Sequence, residues 1–162
     1  MTESDPFTDV LDGPMYVITT AARGARAGCL VGFASQCSIH PPRFVVWLST
    51  TNHTYRVACE ASYLTVHVLL REQRALAELF GGETGDQMDK FARAAWRQGE
   101  AGSPVLTEVR TWFTGRVEGR IEGGDHVGFL LAAASQCKPS RGTPPELLRY
   151  SDVRDMEPGH PA

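Results

Sequence analysis

The chain has 162 residues and a formal net charge of −3, from 16 basic and 19 acidic residues. This is the length of one domain, too short for a dinucleotide domain plus a substrate domain or for a TIM barrel. Because duplex-binding proteins normally carry a basic surface, the charge argues against a nucleic-acid partner.

Targeting and cysteine patterns favour a cytoplasmic protein that neither enters nor crosses a membrane. The N-terminal residues MTESDP are polar and acidic, unlike a signal peptide, and no apolar run reaches the ~18 residues that span a bilayer. The four cysteines, which include no C-x-x-C pair, are Cys29, Cys37, Cys59 and Cys137. We expect reduced, mostly buried thiols and no metal site.

The first third of the chain is rich in strand signals. Strands are predicted at 15–20, 29–33, 34–39 and 44–48 from β-branched, aromatic and alternating residues. The stretch 21–28 is rich in glycine and alanine and indicates a turn. Pro41 and Pro42 end the third strand, because proline cannot donate to a strand ladder.

Helices and further strands follow. Thr50 or Thr51 offers an N-cap for a helix that runs to 61, and Gly81-Gly82 ends a helix that begins at 71. Apolar residues at helical spacing predict a second surface helix over 86–97, followed by a loop over 99–104. The remaining strands are predicted at 63–69, 109–121 and 126–134, and a short apolar return at 147–150.

The order of these elements predicts a mainly β protein, with antiparallel strands in a barrel or sandwich and short helices attached. Six or seven strands and two or three helices are expected. The domain is predicted to cover 14–155, with a flexible lead-in at 1–13 and a tail at 156–162.

Common catalytic motifs are absent from the sequence. There is no G-x-G-x-x-G after a strand, no P-loop, no G-x-S-x-G and no H-E-x-x-H. An enzyme with this sequence would therefore rely on a bound organic cofactor for its chemistry.

Three stretches are candidates for such a site, and each also has an ordinary structural reading. Small residues in 28–38 would let a flat ring approach the backbone, or would simply mark strand bends. Hydroxyl and amide side chains in 49–56, with His53 and Arg56, suit a phosphate or ordinary helix capping. Asp125 and His126 follow two glycines and could face a ligand, although turns commonly contain such residues.

Taken together and in order, these stretches resemble a known family. The quoted segments are Tyr16-Val-Ile-Thr-Thr20, Gly28, Ser38-x-x-Pro41-Pro42, the strand 44–48, Ser49-x-x-x-x-Thr54, Tyr63-Leu-Thr-Val-His-Val-Leu69 with Glu72-Gln73, Phe80-Gly81, Lys90-Phe91 and Gly124-Asp125-His126. Over about 14–155 the chain resembles the flavin reductase-like family, the FMN-binding split barrels. That family includes the reductase components of two-component flavin-dependent monooxygenases.

The resemblance implies a split β-barrel with flanking helices, a homodimer with flavin near the interface, and reduction of FMN or FAD by NADH or NADPH. A monooxygenase or another electron acceptor is the implied partner. The implied flavin-binding residues are Gly28, Cys29, Leu30, Gly32, Phe33, Trp47, Leu48, Ser49, His53, Thr54, Arg56 and Phe80. The implied nicotinamide-binding residues are Asp125, His126, Arg149, Tyr150, Ser151 and Asp152, with His126 as the catalytic candidate.

The sequence also departs from the family pattern. Gly32-Phe33 stands where many members have Asn-Ser, Gln36 stands where they have Ser, and 138–145 carries no clear nicotinamide signature. Three alternatives therefore remain at this stage: an FMN-binding electron carrier reduced by a partner, a barrel that uses a deazaflavin, and a purely structural barrel.

Overall fold

The computed structural model describes residues 6–82, 89–140 and 142–156. In these ranges the strands are β1 Tyr16–Ala22, β2 Ala25–Val31, β3 Ala34–Ile39, β4 Pro42–Ser49, β5 Tyr63–Val68, β6 Trp96–Gln98, β7 Pro104–Leu106, β8 Trp112–Glu122 and β9 His126–Cys137. The α-helices are α1 His53–Ala58, α2 Arg74–Gly82 and α3 Tyr150–Val153. Short 3-10 turns lie at Phe7–Val10, Arg71–Gln73, Lys90–Ala92 and Glu100–Gly102.

Seven strands form one antiparallel sheet in the order β2-β1-β5-β8-β9-β4-β3, and β6 pairs with β7 as a separate hairpin. The large sheet curls so that β2 approaches β4. Between β2 and β3, the Phe33 carbonyl accepts the Trp47 N–H of β4 at 2.9 Å and extends the pairing of β3 with β4. We call the opening between β2 and β4 the seam. The predicted antiparallel split barrel with short flanking helices is confirmed.

Two apolar clusters hold the fold together. One fills the barrel between strands and includes the fully buried Ile18, Leu64 and Phe129. The other lies where α2, α3 and the β6–β7 hairpin cover the outside of the sheet, around Leu106 and Phe80. Each fully buried side chain of this size contributes about 1.5–3 kcal/mol, so both clusters fix the position of β2 from its two faces.

A polar layer lies between the sheet and the β6–β7 hairpin, formed by Thr19, Thr65, His67, Ser103 and Thr114. The Thr65 hydroxyl lies 2.9 Å from the Ser103 hydroxyl and 2.8 Å from that of Thr114. Thr19 donates to the Pro104 carbonyl. These bonds tie the hairpin to β1, β5 and β8.

His67 is fully buried in this layer and uses both ring nitrogens. Nδ1 lies 3.0 Å from the Val17 carbonyl, and the Leu106 N–H donates to Nε2 at 2.9 Å. This pattern requires a neutral ring protonated at Nδ1. Burial lowers the His67 pKa to about 4, against the opposing effect of the bond to Val17.

The predicted surface helix over 86–97 is wrong in the part of the chain that the structure describes. Lys90–Ala92 is one 3-10 turn and Trp96–Gln98 is β6; residues 83–88 lie outside the described ranges. Phe91 and Trp96 pack against each other at 5.6 Å between ring centroids. Pairing of Trp96 with Leu106 in β7 outweighs the helical spacing.

Two boundaries also differ from the prediction. β2 begins at Ala25, inside the predicted turn, because Arg23 and Gly24 adopt φ of 50° and 78° and close a tight two-residue hairpin. The N-cap of α1 is Asn52, whose side chain accepts the Thr54 N–H at 2.8 Å, and neither Thr50 nor Thr51 caps it. Within the described ranges, no helix has the length and apolar character needed to cross a membrane.

Candidate functional site

A cleft of about 210 Å³ lies at the seam. Its lining residues are Met15, Cys29, Leu30, Val31, Gly32, Phe33, Trp47, Leu48, Ser49, Asn52, His126 and Tyr150. Nine of these were predicted from the sequence, so residues from β2, β4, β9 and α3 that are far apart in the chain meet here. Met15 and Asn52 were missed, because their closeness to the seam depends on long-range contacts, and Val31 was missed although it lies between the predicted residues Leu30 and Gly32.

The edge of β2 supplies backbone groups to this cleft. Gly28 lies opposite Thr19 of β1 and Cys29 lies opposite Ile18. The Gly28 carbonyl points away from β1, because it accepts a bond from the Lys90 ammonium at 3.1 Å. In an antiparallel strand the direction alternates from residue to residue. Leu30 therefore also turns its N–H and carbonyl away from β1, toward the seam.

Gly32 leaves the floor of the cleft without a side chain. A Cβ at Gly32 would lie 3.3 Å from the sulfur of Met15, which also lines the cleft. Any larger side chain at this position would occupy the space beside the β2 backbone. A planar ring would thus be able to lie close to the strand.

Aromatic side chains form the opposite wall. The Trp47 ring lies flat over two glycines, since a Cβ at Gly123 or Gly128 would come within 2.7 or 2.9 Å of it. Phe33 is 62% exposed, and its ring centroid is 5.0 Å from that of His126. The rings of Phe33 and His126 form a wall against which the flat ring of a ligand can pack.

Asp125 orients His126. The His126 Nδ1 lies 2.7 Å from the Asp125 carboxylate, so Nδ1–H donates to it. Nε2 is then the imidazole nitrogen available to a ligand. Asp125 itself does not line the cleft and acts through this bond.

Cys29 is buried beneath the cleft, and its thiol stays protonated. Burial raises the pKa of Cys29 to about 11, against weaker lowering by hydrogen bonds from Thr54 and Asn52 and by the charge of Lys90. Because the thiolate is the reactive form, Cys29 is not a nucleophile at neutral pH. Thr54, which is only 1% exposed, supports Cys29 rather than facing the cleft.

A second cleft of about 200 Å³ lies further along β2, where Gly28, the chain neighbour of Cys29 in the first cleft, is one of its lining residues. Its lining residues are Gly24, Arg26, Ala27, Gly28, His53, Asp89, Lys90 and Phe91. The Arg26 guanidinium lies 4.6 Å from the Trp96 ring centroid, and buried Lys90 donates to the carbonyls of Gly28 and Phe80. Arg26 and Lys90 outweigh the one carboxylate of this cleft, Asp89, which lies 3.8 Å from Arg26. The remaining positive charge at this end of the seam suits an anionic group. Arg26 and Lys90 were not predicted as site residues.

The other predicted residues lie outside both clefts. Arg56 is exposed and donates to the His53 Nδ1 at 3.4 Å. Phe80 is 1% exposed, with its ring directly behind Gly28, so it supports the strand from the core. Arg149, Ser151 and Asp152 bond to one another or to Asp12 next to the cleft, and only Tyr150 of this segment lines it.

The chemistry of the two clefts can be stated from these groups. Neither holds a reactive nucleophile, and the described residues contain no cluster of three or more His, Cys, Asp or Glu that could hold a metal ion. What they offer is a backbone edge, a glycine floor, an aromatic wall and a cationic end. These features fit a flat heteroaromatic ring that carries a phosphate-bearing chain, and a flavin is such a molecule.

The fold and the seam define a split β-barrel of the kind that binds planar cofactors. The sequence matches the flavin reductase like domain family over residues 9–152. The chain therefore belongs to this family, as the sequence predicted.

One relative and two solved structures show the extent of the likeness. The chain is 31% identical over 144 residues to "FMN reductase (NADH) RutF" of Methylorubrum extorquens, an alignment that covers 89% of this chain and 68% of the relative. An FMN-binding protein from Thermus thermophilus superimposes with a TM-score of 0.77 at 20% identity, over 85% of this chain and 77% of that chain. Nitrilotriacetate monooxygenase component B from Mycobacterium thermoresistibile superimposes with a TM-score of 0.73 at 22% identity, over 83% of this chain and 74% of that chain.

Proposed function

We propose that the protein is an NAD(P)H-dependent flavin reductase that uses FMN as the flavin and NADH as the hydride donor. The observation that carries this proposal is the β2 edge at the seam, which places the backbone of Leu30 above a glycine floor and opposite an aromatic wall. The name of the Methylorubrum relative supports FMN and NADH. The fold domain is proposed to cover 14–155.

In this proposal the flavin ring lies along β2. Leu30 offers its N–H and carbonyl to the polar edge of the ring, Gly32 allows close approach, and Trp47 and Leu48 close the far side. Backbone donors are well suited to stabilise negative charge on the ring, because they are already oriented before the reaction. Cys29 and Ser49 contact the same cleft and are assigned to binding.

The phosphate is assigned to the cationic end of the seam. His53 and Lys90 line that cleft, and Arg56 is bonded to His53. The two clefts are lined by the neighbouring residues Gly28 and Cys29 of β2, so an extended ligand that follows this strand would reach both. Thr54 and Phe80 are assigned supporting roles, through Cys29 and Gly28 respectively.

The nicotinamide is assigned to the side of the cleft formed by Phe33, His126 and Tyr150. A bound flavin supplies the acceptor for a hydride, and a reduced nicotinamide supplies the hydride. The protein brings the two rings together and excludes water between them. His126, fixed by Asp125, presents Nε2 as a hydrogen-bonding group to the nicotinamide. Arg149, Ser151 and Asp152 hold the segment that carries Tyr150.

A homodimer, a monooxygenase partner and a cytoplasmic location belong to the same proposal. β3 is an edge strand whose residues Ser35, Gln36, Cys37 and Ile39 are all exposed, Ile39 by 69%. An exposed edge strand presents unpaired backbone groups that can pair with another chain. The likeness to a monooxygenase component B supports delivery of reduced flavin to a monooxygenase.

The test is an anaerobic absorbance titration of the purified protein with FMN, followed by NADH and then NADPH. We expect that an amount of protein far below that of the flavin bleaches the flavin absorbance bands and consumes the nicotinamide. The rate should be higher with NADH than with NADPH. Flavin that stays bound and is bleached by neither nicotinamide would contradict the proposal and favour the electron carrier. Protein that binds no flavin would contradict both.

A further inference from the structure

A carboxylate outside every assigned site holds the C-terminal segment against the N-terminal one. Asp12 accepts the Ser151 N–H at Oδ1 and the Ser151 hydroxyl at Oδ2, both at 2.7 Å. Arg149 donates back to the Asp12 carbonyl at 3.1 Å. The Asp12 side chain thus fixes the first turn of α3.

Backbone bonds of the residues that follow Asp12 continue this attachment. The Tyr150 N–H donates to the Gly13 carbonyl at 3.0 Å, and the Met15 N–H donates to the Leu148 carbonyl at 2.8 Å. Pro14 and Arg149 form an isolated antiparallel bridge. Residues 12–15 and 148–151 therefore lie side by side, with Tyr150 between the bonds of Asp12 and those of Met15.

This attachment matters because Tyr150 lies at the rim of the seam cleft. Tyr150 and Met15 both line the cleft, and the Tyr150 side chain is half exposed, with the Arg154 guanidinium 6.0 Å from its ring centroid. A helix of four residues has little stability of its own. The position of the Tyr150 ring thus depends on the contacts made from the N-terminal side.

We propose that Asp12 is a positioning residue for nicotinamide binding, which acts by holding the Tyr150 ring at the rim of the cleft. This inference rests on the flavin reductase function proposed above. The hydrogen bonds from Ser151 also lower the pKa of Asp12, so its carboxylate is charged at neutral pH and is a strong acceptor.

The first experiment compares three variants by steady-state kinetics with NADH and FMN. Asp12→Ala frees the segment, and we expect KM for NADH to rise about tenfold while kcat stays within twofold, because a ring contact that acts equally in the ground and transition states affects KM alone. Asp12→Asn keeps an acceptor for the Ser151 N–H, and its amide can donate to the Ser151 hydroxyl, so KM should return to within threefold. Asp9→Ala, in the same N-terminal segment, is the matched control and should leave both constants unchanged.

A double-mutant cycle tests whether Asp12 affects nicotinamide binding through Tyr150. Tyr150→Ala should raise KM for NADH as Asp12→Ala does, and adding Asp12→Ala to Tyr150→Ala should change KM by less than twofold. If the two effects multiply, Asp12 does not act through Tyr150 and the proposal is wrong. An unchanged KM in Asp12→Ala would overturn it equally.

Amide hydrogen exchange gives a readout that needs neither flavin nor turnover. Exchange of the Ser151 amide should be at least tenfold faster in Asp12→Ala than in wild type, and nearly unchanged in Asp12→Asn and Asp9→Ala. Unchanged exchange in Asp12→Ala would show that Asp12 does not hold the segment. Wild-type protein that consumes no nicotinamide but shows the expected exchange would refute the proposed function, and with it the kinetic role of Asp12, while leaving the attachment itself established.

Discussion

The polar layer around His67 and the seam cleft each contain a histidine and hydroxyl-bearing side chains, yet their polar groups are organised in opposite ways. In the layer, Thr65 bonds to Ser103 and Thr114, and His67 uses both ring nitrogens within the protein. At the seam, Leu30 turns its backbone away from β1, and the rings of Phe33 and His126 line open space.

This difference separates structural polarity from functional polarity. Within the described residues, no buried side-chain nitrogen or oxygen lacks a hydrogen-bond partner, so the layer has nothing left to offer a ligand. The seam has backbone and ring groups directed into a cleft. Substitutions in the layer should therefore alter stability without altering ligand affinity, and those at the seam should do the reverse.

The largest expected effect is acid destabilisation through His67. Because its folded pKa is about 4 and its ordinary value is 6.5, the neutral ring stabilises the fold fully above pH 6.5, and this contribution is lost as pH falls through 4. The loss amounts to about 3 kcal/mol in the free energy of unfolding. Urea unfolding from pH 7 to pH 4 should show it, and His67→Gln should lack this part of the pH dependence.

An independent check follows the ring itself. In the folded protein, the NMR chemical shifts of the carbon-bound ring protons of His67 should keep the values of a neutral imidazole down to about pH 4. A ring that titrates near 6.5 in the folded state would contradict the assigned cause.

The second effect concerns Gly32. Gly32→Trp should weaken FMN binding at least 100-fold, about 2.7 kcal/mol, because the side chain occupies the cleft floor beside Met15. The thermal midpoint should change little. Fluorescence titration of FMN measures the affinity, and Gly119→Trp, where a Cβ meets nothing within 4 Å, is the control. Equal affinity in the two variants would move the flavin away from β2.

The third prediction tests the polar layer around His67 with a substitution that changes no charge. Thr65→Val keeps the shape but removes the bonds to Ser103 and Thr114, and should cost about 2 kcal/mol of unfolding free energy. FMN affinity should stay within twofold. The exposed Thr107 provides the control variant Thr107→Val, which should cost less than 0.5 kcal/mol. A loss of FMN affinity in Thr65→Val would remove the distinction between the two regions.

The smallest effect concerns His126. His126→Ala should raise KM for NADH about tenfold, about 1.4 kcal/mol, while FMN affinity holds, because the ring is assigned to the nicotinamide side of the cleft. His40→Ala, at an exposed position between β3 and β4, should change neither constant. Loss of FMN affinity instead of NADH affinity would assign His126 to the flavin.

Much of the barrel was predictable because its strands carry their own signals. Phe44 to Leu48 and Tyr63 to Leu69 have β-branched and aromatic patterns that no helix would favour, and both form strands. The helix predicted over 86–97 failed where local spacing competed with tertiary packing. Phe91, Ala92 and Ala95 satisfy a helical pattern, but Phe91 packs against Phe80, and the next residues enter β6, where Trp96 pairs with Leu106 of β7.

The candidate site was predictable where one strand carries it and not where several elements meet. Gly28 to Phe33 is a continuous stretch, and the structure places most of it at the seam. Arg26 and Lys90 lie 64 positions apart in the chain (90 − 26), and nothing local in either indicates that they share a cleft. Asp12 was likewise read as part of a flexible lead-in, because its contact with Ser151 spans 139 positions.

The expectation of mostly buried thiols is wrong, because only Cys29 is buried, and this difference provides a practical route to conjugation. Cys37 and Cys137 are exposed, whereas Cys29 is buried with a pKa of about 11. A maleimide dye at neutral pH should therefore attach to Cys137, and to Cys37 wherever β3 is not covered by a second chain, and spare the cysteine beneath the cleft. The protein can thus be fluorescently labelled or anchored to an electrode with its seam left open.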